Sequence, residues 1–239
     1  MSNNRPYKRI LLKLSGEAMA GDIGFGFCAK TVKNIAAEVD SVAKAGFEIA
    51  VVIGGGNFMR GEAMAQAGMD RVNGDYMGMM ATMMNAMMLR DVLEKMNTKT
   101  ALLSALHLKE IGEPYIRRNA LEHLSNGKVV IFAGGTGSPF FTTDTTATLR
   151  ANEINADVIF KATNVDGIYT ADPKKDATAT KYERLSFMDV LKNELRVMDA
   201  TAIAMCKENN LPIQVFCLQD KGSVLKAAQG EPIGTIVGA

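Results

Sequence analysis

Three times in this chain a short aliphatic run stops at glycine. The run around Ile10, Leu11 and Leu12 ends at Gly16, Val51 to Ile53 end at Gly54, Gly55 and Gly56, and the run from Lys128 to Ala133 ends at Gly134, Gly135 and Gly137. Glycine loses more freedom on ordering than any other residue, so a fold keeps it in clusters where φ must be positive or where another molecule approaches the backbone. Successive N–H groups in such a turn, followed by a helix start, make a concave positive site suited to an anion. For one triplet alone, a tight turn without a ligand is an equal reading. Three glycine loops at the carboxyl ends of neighbouring strands in an open sheet share one crevice.

The order of the remaining signals supports such a sheet. Strand-like runs are expected at 9–14, 47–53, 98–105, 128–133, 157–162, 213–217 and 235–237, with helical periodicity at 29–44, 76–95, 119–124, 145–155, 184–195, 200–209 and 221–228. The strands are short and continuously apolar rather than alternating, as in a sheet covered on both faces. The fold class expected is α/β, a three-layer αβα sandwich with a mainly parallel central sheet. No Pro/Gly/Ser-rich linker divides the chain, so its 239 residues are expected to form a single domain. Residues 163–172 read as a loop or hairpin turning at Asp166 and Gly167. Asp75 stands where it would cap the 76–95 helix or meet a ligand near its start. That helix carries seven methionines spread around its circumference, which fits a core or subunit contact better than a ligand groove.

Bulk properties exclude several classes. A formal charge of +1 leaves no electrostatic footprint for nucleic acid or a membrane surface. Three cysteines without CxxC spacing and two distant histidines give no metal-ligand pattern and read as reduced thiols. No apolar run reaches membrane-spanning length and no signal-type segment precedes the first strand, so a cytoplasmic protein is expected. Beside the glycine loops stand two cations, Lys13 and Arg60, and two carboxylates, Asp144 and Asp199. Phosphoryl transfer needs this inventory, with backbone donors and cations to take up charge on the transferred group. There is no GxxxxGK[ST], HRD or DFG, and no loop gives GxGxxG directly after a strand. Residues alone therefore lead to a nucleotide- or phosphate-handling α/β enzyme.

Six blocks carry a more specific resemblance: KRILLKLSGE, VVIGGGNFMRG, GDYMGMMAT, GTGSPFFTTD, KATNVDGIYTADP and VMDATA. Over residues 7–237 the chain resembles the bacterial uridylate (UMP) kinases of the amino-acid kinase superfamily. The first two blocks match the superfamily at large; PFFTTD and RVNGDYMG resemble the UMP-specific branch. The resemblance implies magnesium-dependent transfer of the ATP γ-phosphoryl group to UMP, giving UDP and ADP in pyrimidine nucleotide biosynthesis, with Mg2+ held mainly through nucleotide phosphates. By position, Lys13, Leu14, Ser15, Gly16, Gly56 and Arg60 match the ATP-phosphate contacts, with Lys13 as electrostatic catalyst. Thr163, Tyr169 and Asp172 match the adenosine side. Gly55 and Asp75 match acceptor-nucleotide contacts, and the UMP cradle matches Thr136, Gly137, Ser138 and Pro139, then Phe140 and Phe141, then Thr142 and Thr143. Asp144 and Asp199 match the carboxylates that support catalysis and lysine orientation. It further implies an acceptor-nucleotide part at roughly 1–160, an ATP part at roughly 161–239, and a homohexamer with GTP as activator and UTP as inhibitor. Gly21, Asp22, Ile23, Gly24, Phe25 and Gly26 resemble the effector-proximal loop, and a mobile surface loop is the competing reading. Ser138 stands where asparagine is common, and Asp70 where some members carry asparagine. Two alternatives stay open: a superfamily kinase acting on a small carboxylate or carbamate, and a non-catalytic nucleotide sensor.

Overall fold

The strands are buried almost throughout, and successive side chains turn to opposite faces, which decides the architecture. In β1 (Arg9–Leu14), Ile10, Leu12 and Leu14 enter one apolar cluster and Leu11 another. In β2 (Glu48–Ile53), Ile49, Val51 and Ile53 separate from Ala50 and Val52 in the same way. A strand apolar on both faces needs cover on both, the condition for a parallel sheet between two helical layers. The computed structural model, which describes residues 6–59, 68–173, 175–176, 178–195 and 197–238, has this form.

Among the described residues nine strands make one sheet, in the order β4 (Glu113–Pro114), β3 (Thr100–Ser104), β5 (Val129–Ala133), β2, β1, β6 (Val158–Thr163), β10 (Ile213–Cys217), β11 (Thr235–Gly238) and β9 (Arg184–Ser186). Neighbours are parallel except β10 with β11. One face is covered by α1 (Gly16–Ala20), α2 (Ala29–Lys44), α3 (Arg71–Lys95) and α8 (Ser223–Gln229). The other is covered by α4 (Arg117–Ser125), α5 (Thr143–Glu153), α6 (Phe187–Lys192) and α7 (Ala200–Glu208). A separate antiparallel ribbon pairs β7 (Ile168–Tyr169) with β8 (Lys181–Tyr182).

Four local expectations are corrected, each by a cap or a turn. Helix α3 starts at Arg71 because Asp70, not Asp75, caps it, accepting from Asn73 N at 3.1 Å. The glycine loop expected at Gly16 is instead the first turn of a short helix, since the Ser15 hydroxyl accepts from Ala18 N at 3.2 Å. Residues 184–186 extend the sheet instead of opening a helix: Ser186 is held extended as the cap of α6 by a reciprocal capping box with Asp189. The strands of the ribbon are Ile168–Tyr169 and Lys181–Tyr182, so Asp166 and Gly167 lie ahead of its first strand rather than at its turn. On α3, Met83, Ala86, Leu89 and Leu93 pack inward. Tyr76, Met80, Met84 and Met87 form an exposed stripe at spacings of three and four.

Candidate active site

Strand register places two lysines side by side. Lys13 of β1 is the register partner of Lys161 of β6. Each lies two residues beyond a residue of the core covered by α5, Leu11 and Ile159 respectively, so both side chains leave the sheet on that face. Helix α5 carries Asp144 in its first turn, between them. Lys13 Nζ lies 2.8 Å from Asp144 Oδ1 and Lys161 Nζ 3.2 Å from Oδ2. Lys161 also donates to the Val197 carbonyl. Burial pushes the Asp144 carboxyl upward, but the ammonium charges, Lys13 ahead of Lys161, outweigh it and hold the group below the usual carboxylate range. Lys161 moves the opposite way from an ordinary paired lysine. Its burial, reinforced by the like charge of Lys13, outweighs Asp144 and lowers its pKa. Reading by sequence passes over Lys161, although it interrupts an apolar strand just as Lys13 does.

Asp199 joins two helix starts. It caps α7, accepting from Ala202 N at 2.8 Å, and takes the Thr145 hydroxyl at 2.9 Å together with that of Thr142. Thr142 in turn caps α5, accepting from Asp144 N at 3.0 Å and Thr145 N at 3.3 Å. Both carboxylates thus sit at helix N-termini, where the backbone dipoles favour negative charge. Asp144 meets the two lysines directly, whereas the hydrogen bonds of Asp199 go to hydroxyls and backbone.

The glycine loops after β1 and β2 touch backbone to backbone. A Cβ on Gly16 would fall 2.5 Å from Gly56 N, and one on Gly54 would fall 3.1 Å from Gly16 N and 3.2 Å from the Thr143 hydroxyl. Gly54 N donates to Leu14 O at 2.9 Å. Gly55 has a different reason to be glycine: its Cβ would strike Gly78 O at 2.5 Å, so it lets α3 approach the loop. A Cβ on Gly56 would meet the Glu17 carboxylate. Arg60 lies outside the described residues.

The third glycine loop forms a rim. Gly134, Gly135 and Gly137 all have positive φ, and Gly137 N closes a turn onto Gly134 O at 3.0 Å. The Thr136 hydroxyl donates to Ser138 O and accepts from Ser138 N. Beyond Pro139, Phe140 takes φ of 71°, a left-handed conformation that a non-glycine residue adopts at a cost. Asp75 holds it there. Its carboxylate accepts from Phe140 N at 2.8 Å and from Arg71 Nε at 2.9 Å, while the Arg71 guanidinium lies 5.5 Å from the Phe140 ring centroid. Phe140 and Phe141 are 65% and 52% exposed at this rim.

Thr163 ends β6 two residues past Lys161, its hydroxyl bonded to Val165 O at 2.7 Å. Tyr169 stands on the ribbon, donating to Asp166 at 2.6 Å, and Asp166 pairs with Lys181 at 2.9 Å. The Asp172 carbonyl accepts from Lys175 N and Asp176 N. Residues 21–26 begin as a 3₁₀ turn, Gly21–Ile23, with Gly24 and Gly26 at positive φ. The Phe25 ring meets Phe58 edge-on at 5.7 Å, which brings this loop against the one after β2. The structure therefore unites Lys13, Asp144, Asp199, Thr142, Thr143 and the first two glycine loops, with Tyr169 on the separate ribbon and Asp172 in the segment after its first strand. Among the described residues no three His, Cys, Asp or Glu side chains cluster to hold a metal. Asp144 is engaged by two lysines and Asp199 by hydroxyls, so this donor set suits a divalent cation carried by phosphate oxygens better than one held by carboxylates. The glycines at positions 16, 54 and 56 let the segments after β1 and β2 and the Glu17 side chain pack closely against one another.

The model of the amino acid kinase family matches residues 8–217. The chain is similar to the crystal structure of a UMP kinase from Bacillus anthracis, at 41% identity over 98% of this chain and 97% of that one, with a TM-score of 0.95. It is similar also to a UMP kinase from Ureaplasma parvum, at 33% identity, 97% and 99% coverage and a TM-score of 0.91. A uridylate kinase from Archaeoglobus fulgidus matches at 30% identity, 95% and 99% coverage and a TM-score of 0.74.

Proposed function

The chain belongs to the amino acid kinase family, and from that premise we propose that it is a UMP kinase, transferring the γ-phosphoryl group of ATP to UMP to give UDP and ADP. The observation that carries this reading is the Lys13–Asp144–Lys161 cluster, two ammonium groups aimed by one carboxylate at the end of the sheet where the glycine loops meet. The attacking UMP oxygen is already anionic, so no general base is required and catalysis rests on alignment and charge compensation. Lys13 and Lys161 supply the positive charge, and Asp144 fixes both. The loops around Gly16 and Gly56, with Arg60, take the ATP phosphates. Mg2+ would be carried by the nucleotide and would supply charge neutralisation on the transferred group. Asp75 sets the rim at Phe140, and Phe140 with Phe141 packs on the uracil ring. The acceptor side falls within roughly 1–160. The ATP side, with Thr163, Tyr169 and Asp172, falls within roughly 161–239.

The exposed stripe of Tyr76, Met80, Met84 and Met87 is proposed as a face for further copies of the chain in a homohexamer, with residues 21–26 nearest the effectors GTP and UTP. No helix of the described residues is long and apolar enough to cross a membrane. The test is ADP release from ATP with UMP, CMP, carbamate or N-acetylglutamate as acceptor, with and without GTP. UMP is expected to be turned over fastest. A faster reaction with carbamate or N-acetylglutamate, or binding of ATP and UMP with no UDP formed, would sink the proposal.

A further inference from the structure

Behind the phosphate loops two buried amides close on each other. Asn57 is 2% exposed and Asn85, on the inner face of α3, 0%. Asn57 Nδ2 donates to Asn85 Oδ1 at 3.0 Å and Asn85 Nδ2 donates back to Asn57 Oδ1 at 2.7 Å. The remaining N–H of each amide goes to main chain, from Asn85 to Gly54 O at 2.8 Å and from Asn57 to Gly26 O at 2.6 Å. Gly26 N answers with a bond to Asn57 O at 3.0 Å. All four side-chain N–H groups are thus used. An apolar pair would fill the same space without the desolvation penalty of two amides. What the amides add is directed bonds, and their ends are informative. One bond holds the carbonyl of Gly54, in the loop after β2. The Asn57 oxygen sits where a Cβ on Gly16 would fall, 2.6 Å away, so it also abuts the loop after β1. The third attachment is the loop that carries the exposed Phe25.

We propose that the Asn57–Asn85 amide pair is a positioning element of the phosphate site, fixing the gap between the loops after β1 and β2 and tying both to Gly26 and to α3. It rests on the reading of this site as one for ATP. A shift of the Gly26 segment or of α3 then reaches the loops after β1 and β2 through the hydrogen bonds of the pair.

The experiment compares the wild-type protein with Asn57→Leu/Asn85→Leu, which removes both partners together and so spares the pair an unmatched buried amide. Melting reports stability, calorimetric titration with a non-hydrolysable ATP analogue reports the phosphate site, and UDP formation reports turnover. The double variant is expected to keep a cooperative melt close to wild type while ATP affinity and turnover each fall about 10- to 100-fold, with KM for UMP nearly unchanged. Wild-type affinity and turnover in that variant would overturn the proposal, since a purely structural pair is replaceable by apolar side chains. If it does not fold, Asn85→Asp and Asn57→Asp decide. Each loses one of the two bonds between the side chains; the first loses in addition the bond to Gly54 O, whereas the second keeps it and loses the bond to Gly26 O. Asn85→Asp is expected to weaken ATP about tenfold more than Asn57→Asp, and equal effects refute the proposal. A wild-type protein that binds the analogue without forming UDP refutes the proposed reaction, while the affinity ratios still decide the role of the pair.

Discussion

Asp144 and Asp166 each lie between a lysine and a second donor, yet they stand in opposite surroundings. The Asp144 side chain is 16% exposed and shared by Lys13 and Lys161; that of Asp166 is 50% exposed and shared by Lys181 and the Tyr169 hydroxyl. Both titrate below the ordinary carboxylate range. For Asp144 burial opposes the shift and two full charges overcome it, whereas for Asp166 the hydrogen bond from Tyr169 leads, followed by that from Lys181, with solvent close by. Taking three charges out of water costs more than most buried pairs return, so the Asp144 cluster is a weak stability device and calls for a chemical reason. The Asp166 cluster is a surface latch of the ribbon, weak and screened by salt. The same residue types therefore mean different things in the two clusters, and burial is the variable that separates them.

Substitution can break the buried side of this comparison first. Asp144→Asn leaves two buried ammonium groups facing each other, and urea denaturation is expected to show a loss of about 3–5 kcal/mol together with a collapse of turnover. Unchanged stability would mean that solvent reaches the cluster. Lys13→Ala is expected to lower turnover about 10²- to 10³-fold with little change in KM for UMP; near-normal turnover would remove Lys13 from the chemistry. Lys161→Met removes one of the two cations that hold Asp144 low. In the wild type the ionised cluster is complete above the ordinary carboxylate range and is lost as pH falls through the depressed pKa of Asp144. With Lys161 gone that pKa rises, so the acid limb of the kcat–pH profile is expected to move to higher pH. An unmoved limb would separate Lys161 from Asp144. Asp75→Asn, at a half-way site with an exposed partner in Arg71, is expected to raise KM for UMP about tenfold while largely sparing kcat. On the exposed side, Lys181→Ala is expected to cost less than about 1 kcal/mol of stability. A larger loss in urea would show the ribbon to be more than a latch.

Much of the fold was legible because its signals are local. Strand β1, helix α2 and strand β10 fall where aliphatic runs and helical periodicity place them. Boundaries failed where one side chain decides between neighbouring caps. Asp70 and Asp75 are both plausible caps by type, and Arg71 settles the matter by occupying Asp75 from inside the first turns of α3. Residues 184–186 look helical when joined to 187–195, but β11 offers them a free edge and pairs with them. Of the site, Lys13, Asp144, Asp199 and the glycines stood out by type and position. Lys161, Thr145 and the Asn57–Asn85 pair did not, because nothing near them in the chain shows what they meet.

The sequence by itself determined that this chain folds as helices on both faces of a mainly parallel sheet, with glycine loops at three strand ends, and it carried the family in short blocks. These features arise from energies set within a few residues, namely continuous apolar runs, helical periodicity and the φ that glycine permits. Only the tertiary structure decided that Lys13 and Lys161 share Asp144, that Thr142 reaches Asp199 across 57 residues, and that Gly26, Gly54 and α3 meet through two amides. Those pairings depend on strand register and on the crossovers that bring distant segments together, and no local preference encodes them.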